Sequence, residues 1–279
     1  MHRDLATEED PLLDELTSIV SAAAGAIVAA RARSLDVRMK ADSSPVTACD
    51  HAAEAAILEG LAEVLPGVAV VSEEAAGTAP PASLPDSFLL VDPLDGTREL
   101  VAGRDEFTVN VALVSAGRPR LGIVAVPAQG VLWRGIVGRG AERLQLAPGA
   151  TVGAARERVA IRTRSAPRAG LVAVVSRSHL DPQTEALLTR LPIAQRLACG
   201  SAIKFCQLAQ GAADLYPRLS TTCEWDVAAG HAVLAAAGGL VSTPAGAALS
   251  YGQITRNFRV PGFLAWGDPG AAERFAAGR

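Results

Sequence analysis

Apolar residues return at helical intervals through Leu12, Leu16, Ile19, Val20, Ala23 and Ile27 behind an acidic first turn, which predicts a long helix over 12–33. A turn-rich break at 40–45 leads to a second helix over 51–65, with Ile57, Leu58 and Leu61 on its apolar side and Pro66-Gly67 as its stop. Short apolar runs at 68–71 and 88–91 read as buried strands. Each run stops at acids, Ser72-Glu73-Glu74 after the first and Asp92-Pro93-Leu94-Asp95-Gly96-Thr97 after the second. The stretch 75–86 between them, rich in small residues, Gly and Pro, reads as loop. The segments 107–114, 120–127 and 131–137 suit an antiparallel meander. An irregular, Arg-rich stretch at 146–170 marks a division into an α+β lobe, 1–150, and an α/β lobe, 151–279. The second half alternates strands at 171–176, 194–198 and 213–216 with helices at 181–191, 201–210 and 226–237, then ends in a strand at 263–266 and a terminal helix.

Composition removes several classes of function. With 279 residues, 49% of them hydrophobic, the chain can bury a full core. A formal net charge of −3 provides no global positive field for polymeric nucleic acid. The most apolar stretches, 19–30 and 228–241, are Ala- and Gly-rich and read as packed helices, so no transmembrane segment is expected. The acidic N-terminus lacks the basic start of an export signal, which points to an intracellular protein. Cys49, Cys199, Cys206 and Cys223 stand singly, with no C-x-x-C pair, and are expected as free thiols. Lysine occurs only at Lys40 and Lys204 among 26 basic residues, and a compact ammonium is not well replaced by a guanidinium at a tight anion site.

The candidate chemistry lies at the acidic strand ends. In Asp92-Pro-Leu-Asp95 the proline stiffens the turn and two carboxylates can converge on one point, as hard oxygen ligands suited to Mg²⁺ or Mn²⁺. Gly96 and Thr97 then start a helical turn whose free N–H groups suit a phosphate. Carboxylates, a divalent cation and a helix start together point to phosphoryl chemistry.

The stretches Val71-Ser-Glu-Glu74, Asp92-Pro-Leu-Asp-Gly-Thr97, Glu224-Trp-Asp-Val-Ala-Ala-Gly-His231 and Ala237-Gly-Gly239 resemble the lithium-sensitive, magnesium-dependent phosphatases that include inositol monophosphatase and fructose-1,6-bisphosphatase. Lys40-Ala-Asp-Ser-Ser-Pro-Val-Thr47, Glu106-Phe-Thr-Val-Asn110, Ser176-Arg-Ser-His179, Gly200-Ser-Ala-Ile-Lys-Phe205 and Leu215-Tyr-Pro-Arg218 narrow the resemblance to the CysQ-type 3′(2′),5′-bisphosphate nucleotidases. That resemblance implies a layered αβαβα fold with two sheets, and removal of the 3′-phosphate of adenosine 3′,5′-bisphosphate, or of its sulfated relative, in sulfur assimilation and nucleotide salvage. It also implies two or three Mg²⁺ ions, Mn²⁺ as a substitute, inhibition by Li⁺, and a cytoplasmic enzyme that relatives place peripherally on the inner membrane. No oligomeric state is specified.

By the same resemblance, Glu73, Asp92 and the Leu94 carbonyl would hold one ion and Asp92, Asp95 and Asp226 a second, with Glu74 beside them or near a third. Asp50 and Thr97 would orient and deprotonate the attacking water, and the Gly96 and Thr97 N–H groups would bind phosphate. Ser201, Lys204, Arg218 and His179 would surround the nucleoside and its 5′-phosphate, while Lys40 would steady the loop carrying Asp50. His2, His51 and His231 are read as structural. Two positions depart from the pattern: Ala202 stands where a second serine is usual and Leu100 where Phe is usual. The runner-up readings are an inositol or sugar phosphatase and, from another class, a non-catalytic metal- or nucleotide-binding regulator.

Overall fold

The structure is a computed structural model and describes residues 9–40, 44–76, 81–178 and 180–276. The N-terminal half runs α1 (Glu9–Arg33), β1 (Arg38–Met39), β2 (Pro45–Val46), α2 (Ala48–Val64), β3 (Val70–Ser72), α3 (Glu73–Ala76), β4 (Ser87–Asp95), α4 (Thr97–Val101), β5 (Thr108–Ser115), β6 (Arg118–Val126), β7 (Val131–Ile136), β8 (Gly140–Gln145) and β9 (Glu157–Ile161). The rest runs β10 (Leu171–Ser176), α5 (Pro182–Arg190), β11 (Ile193–Cys199), α6 (Ile203–Ala209), β12 (Leu215–Arg218), β13 (Thr222–Cys223), α7 (Glu224–Ala236), β14 (Leu240–Ser242), β15 (Arg259–Val260), β16 (Phe263–Trp266) and α8 (Pro269–Ala276).

Strands β3 to β9 lie side by side in chain order as one seven-stranded sheet, antiparallel except for the parallel pair β3/β4. A second sheet has the order β11-β10-β12-β16-β14, parallel across its first three strands. Alternation along the strands sorts side chains into layers. Leu89, Val91, Val109, Val111 and Leu113 pack outward against Leu12, Leu16, Ile27, Ile57 and Leu61 of α1 and α2. Phe88, Leu90, Ala112 and Val114 pack inward with Phe205 and Leu208 of α6 and Val227 and Ala228 of α7, and the same cluster takes in Tyr216 and Phe263 of the second sheet. Leu171, Leu215 and Trp266 then pack on Ala271 and Phe275 of α8. The order is helices, sheet, helices, sheet, helices, which is the αβαβα arrangement expected.

The central helix α7 lies close on β6 because Gly122 offers no side chain: a Cβ there would overlap the Ala229 carbonyl oxygen. α2 starts at Thr47, whose hydroxyl accepts from Cys49 N–H at 3.1 Å, and Asp50 closes a reciprocal cap on the Thr47 N–H, a motif that stabilises a helix by about 1 kcal/mol.

The structure adds to the sequence expectations in three places. β8 and β9 were not anticipated, and β9 puts regular structure inside the stretch read as irregular, so the expected lobe boundary at 150/151 falls within the β8–β9 connection. α2 begins three residues earlier than expected because Thr47, not a residue of the break, is its cap. The expectation that no segment is long and apolar enough to span a bilayer is corrected at α1, where Asp10–Arg33 meets that length and composition. Half of its most apolar 18-residue window is buried, against α2 and the sheet, as in a core helix.

Candidate active site

Asp92 and Asp95 are three residues apart, a spacing that would send them to opposite faces of a regular strand. The β4/β5 register removes the conflict. Asp92 pairs with Asn110 and Asp95 with Thr108, so three steps on β4 oppose two on β5, and the extra residue of this bulge brings both carboxylates to one cleft. The Leu94 N–H donates to Asp92 Oδ1 at 3.1 Å, which fixes the turn. Gly96 follows with φ 97°, a backbone conformation that glycine alone adopts freely, and a Cβ there would run into the Ser201 hydroxyl.

Thr97 Oγ1 donates to Asp50 Oδ1 at 2.9 Å, and Asp50 Oδ2 accepts from Thr47 N–H at 2.8 Å and Thr47 Oγ1 at 2.7 Å. Asp50 is buried, so its one remaining direction is toward Thr97 and the cleft. Asp226 enters from the first turn of α7, held by the Cys223 N–H at 3.0 Å and by the Thr222 hydroxyl. Glu73 and Glu74 open α3 and both accept from Lys40 Nζ, at 2.9 and 2.6 Å. The Lys40 ammonium is thus taken up by those glutamates, while its backbone N–H donates to the Ser44 carbonyl at 2.8 Å, on the loop that leads to Asp50. Burial works against the Lys40 charge, but Glu73 and Glu74 outweigh it and hold its pKa above the ordinary value.

The carboxylates are crowded. Burial, then repulsion from Asp226 and Glu74, pushes Glu73 up to about 7 even with Lys40 beside it. Burial and Asp226 push Asp95 up to about 6 against the pull of Lys204 and Arg218. Burial, with Glu73, Asp95 and Asp226 around it, raises Asp92 well above the usual carboxylate range. Among the described residues no three such side chains are drawn close enough to form a closed chelate. The donor set nonetheless fits a hard divalent cation: Glu73, Asp92, Asp95, Asp226 and Leu94 all line one open cleft of about 190 Å³, all offer oxygen, and the mutual repulsion of the carboxylates is the strain a cation relieves.

The same cleft is lined by Ser201, Lys204, Tyr216 and Arg218. Ser201, in a left-handed conformation at φ 49°, places its hydroxyl 2.8 Å from both the Asp95 and Glu106 carbonyl oxygens, which share its one proton, and so fastens the start of α6 to the acidic turn. Lys204 is buried, donates to the Ser201 carbonyl at 2.5 Å and sits 5.3 Å from the Tyr216 ring centre. His179 and His2 lie outside the described residues. Ala202 bonds Asp95 through its backbone, so its departure from the pattern costs that carboxylate nothing, and Leu100 fills the outer core. His231 is half-buried and shares a 2.8 Å hydrogen bond with Tyr251, as a structural histidine does.

Several residues at the site carried no role in the sequence reading. Glu106 accepts a two-armed ion pair from Arg177, at 2.9 and 2.7 Å, and the Gly200 N–H at 2.8 Å, while Glu99 accepts from Ser178. Together they tie the loops of the two sheets around the cleft. Glu106 and the Ser176-Arg-Ser stretch were visible as motif, but their partnership joins positions 71 residues apart and no local pattern signals it.

Residues 8–274 match the inositol monophosphatase family. The curated 3′(2′),5′-bisphosphate nucleotidase CysQ of Escherichia coli O157:H7 is 38% identical over 254 residues, covering 90% of this chain and 98% of that protein. CysQ of Buchnera aphidicola is 34% identical over 83% of each chain. The crystal structure of CysQ from Bacteroides thetaiotaomicron superposes with a TM-score of 0.75 at 30% identity, covering 94% of this chain and 98% of that one. The inositol monophosphatase of Anabaena, at 24% identity and a TM-score of 0.70, shares the fold.

Proposed function

The chain belongs to the inositol monophosphatase family of metal-dependent phosphatases, and from that premise we propose that it hydrolyses the 3′-phosphate of adenosine 3′,5′-bisphosphate to AMP and phosphate. The observation that carries the substrate is the charge layout of the cleft, which is lined by Glu73, Asp92, Asp95 and Asp226 and also by Lys204 and Arg218. A ligand with two phosphates satisfies both sets, one group at the cation and one at the basic side chains. Identity to curated CysQ proteins along most of the chain supports the same choice.

Glu73, Asp92, Asp95, Asp226 and the Leu94 carbonyl would hold Mg²⁺, as two or three ions with Glu74 beside them and with Mn²⁺ as a substitute. When bound, Mg²⁺ supplies Lewis acidity that eases deprotonation of the attacking water and offsets charge on the departing ribose oxygen. Thr97 Oγ1 accepts the proton of that water while passing its own to Asp50 Oδ1, along the hydrogen bond that joins them. The first-turn N–H groups at Gly96 and Thr97, which no helical carbonyl can take up, hold the phosphate in line. Water adds to phosphorus as the P–O3′ bond breaks, and the ribose oxygen takes its proton from solvent. Ser201, Lys204, Arg218 and His179 would bind the nucleoside and its 5′-phosphate. Four cysteines that are all free suit a reducing, cytoplasmic compartment.

The test is phosphate release by the purified protein from adenosine 3′,5′-bisphosphate, inositol 1-phosphate and fructose 1,6-bisphosphate, each with Mg²⁺, with EDTA and with added Li⁺. The expected result is an EDTA-sensitive, lithium-inhibited preference for the nucleotide. Preference for a sugar or inositol phosphate overturns the nucleotide pocket and leaves the carboxylate site standing.

A further inference from the structure

Two buried polar side chains of β5 stand directly opposite the aspartates of β4, Asn110 across from Asp92 and Thr108 across from Asp95. Alternation settles which way the first pair faces. Phe88 and Leu90 before Asp92, and Ala112 and Val114 after Asn110, all belong to the inner core under α6 and α7. Asp92 and Asn110 continue those rows, so their side chains share that face. Opposed residues on one face of an antiparallel pair have Cβ atoms about 4.5–5.5 Å apart.

The two groups have complementary deficits. Asn110 is 1% exposed, and neither its side-chain oxygen nor its nitrogen has a hydrogen-bond partner among the described residues. An unpaired buried amide costs about 1–3 kcal/mol, and a leucine, branched in the same way though bulkier, would avoid that cost. Asp92 is also 1% exposed, has Glu73, Asp95 and Asp226 as charged neighbours, and accepts a hydrogen bond from the Leu94 N–H. A carboxylate offers about four lone-pair sites, so donors are scarce at Asp92 where Asn110 has two to give. The donor is also neutral. A lysine or arginine at this position would cancel the Asp92 charge, whereas an amide N–H orients the carboxylate and leaves its charge for the cation.

We propose that Asn110 is a positioning residue, whose side-chain N–H bonds the Asp92 oxygen turned away from the cleft and sets the aim of the carboxylate when a divalent cation is bound. This rests on the assignment of Asp92 as a metal ligand under the proposed function. Groups that orient metal ligands in this way typically contribute about 10–100-fold in metal affinity.

The experiment measures Mn²⁺ affinity by isothermal titration calorimetry, and the Tm of the EDTA-treated protein, for the wild type, Asn110→Leu, Asn110→Ala and Asp92→Asn. The expected result is Mn²⁺ binding weakened by about 10–100-fold in both Asn110 variants, with a Tm for Asn110→Leu at or above that of the wild type because an unpaired amide has been removed. Asp92→Asn is expected to lose tight binding. If either folded Asn110 variant holds Mn²⁺ within about twofold of the wild type while Asp92→Asn loses it, Asn110 has no positioning role and the metal site stands. Asp92→Asn binding as tightly as the wild type overturns the metal-site assignment and this proposal with it. Asn110→Ala, which only deletes atoms, decides the matter if Asn110→Leu does not fold.

Discussion

Thr97 Oγ1 donates a 2.9 Å hydrogen bond to Asp50 Oδ1, which joins the first turn of α4 to the first turn of α2 across 47 residues of sequence. The other Asp50 oxygen is committed to Thr47, so the carboxylate is locked with one oxygen aimed at Thr97. Such a fixed pair is suited to passing a proton, because neither group has to reorganise as charge moves.

Asp50→Asn and Thr97→Ala are each expected to lower kcat by about 10²–10⁴-fold, while Thr97→Ser, which keeps the hydroxyl, retains most of it. Steady-state kinetics on the purified variants decide this. Wild-type kcat in Asp50→Asn removes Asp50 from the proton path.

Lys204 tests the basic wall of the cleft. Its replacement by Met keeps the apolar stem beside Tyr216 and removes the charge, so KM for adenosine 3′,5′-bisphosphate is expected to rise about 10–100-fold, the weight of a charge-assisted bond. The measurement is KM for the bisphosphate beside KM for a 3′-monophosphate. An equal rise for both would place the contact of Lys204 elsewhere than the second phosphate.

Gly96→Ala meets two obstacles, a left-handed backbone and the Ser201 hydroxyl. The backbone alone costs about 1–2 kcal/mol, and relieving the overlap moves Ser201 off the Asp95 carbonyl. A lowered Tm together with a lowered kcat is expected from thermal unfolding and kinetics. An unchanged Tm would mean that the turn and α6 part without cost.

His231 sets an acid limit on stability. Burial, helped by Arg118, depresses its pKa to about 3, against about 6.5 in an unfolded chain. The unfolded state therefore binds more protons between those values, so the contribution of His231 is complete above pH 6.5 and is lost as pH falls toward 3. At pH 4 the loss is about 3 kcal/mol. Unfolding free energies of the wild type and His231→Gln, followed from pH 7 to pH 4, should converge or cross as pH falls. A constant difference would show that His231 does not titrate on unfolding.

The elements legible in the sequence are those whose pattern is local. α1 and the core strands carry apolar residues at their own periods, and acids at the ends of β3 and β4 marked the site before any fold was known. β8 and β9 were missed because both are of mixed polarity at the end of the sheet: β9, Glu-Arg-Val-Ala-Ile, is the edge strand and is mostly exposed, and β8 lies between it and β7. Lys40 stands out in the sequence by its rarity, but spacing alone cannot show that the chain after β1 lies beside α3, where its ammonium meets Glu73 and Glu74.

Local pattern along the chain sufficed for the inventory of groups: the carboxylates, the glycine turn, the hydroxyl at Thr97, the two lysines, and periodic apolar surface enough for packed strands and helices. How these groups meet depends on the packed layers. The β4 bulge turns Asp92 and Asp95 to one side, the β5 register sets Asn110 behind Asp92, and α7 brings in Asp226 from 131 positions beyond Asp95. The physical reason is that periodicity and capping act over a few residues of chain. Repulsion among buried carboxylates, and the donors and cations that answer it, act across space and exist only once the layers have packed.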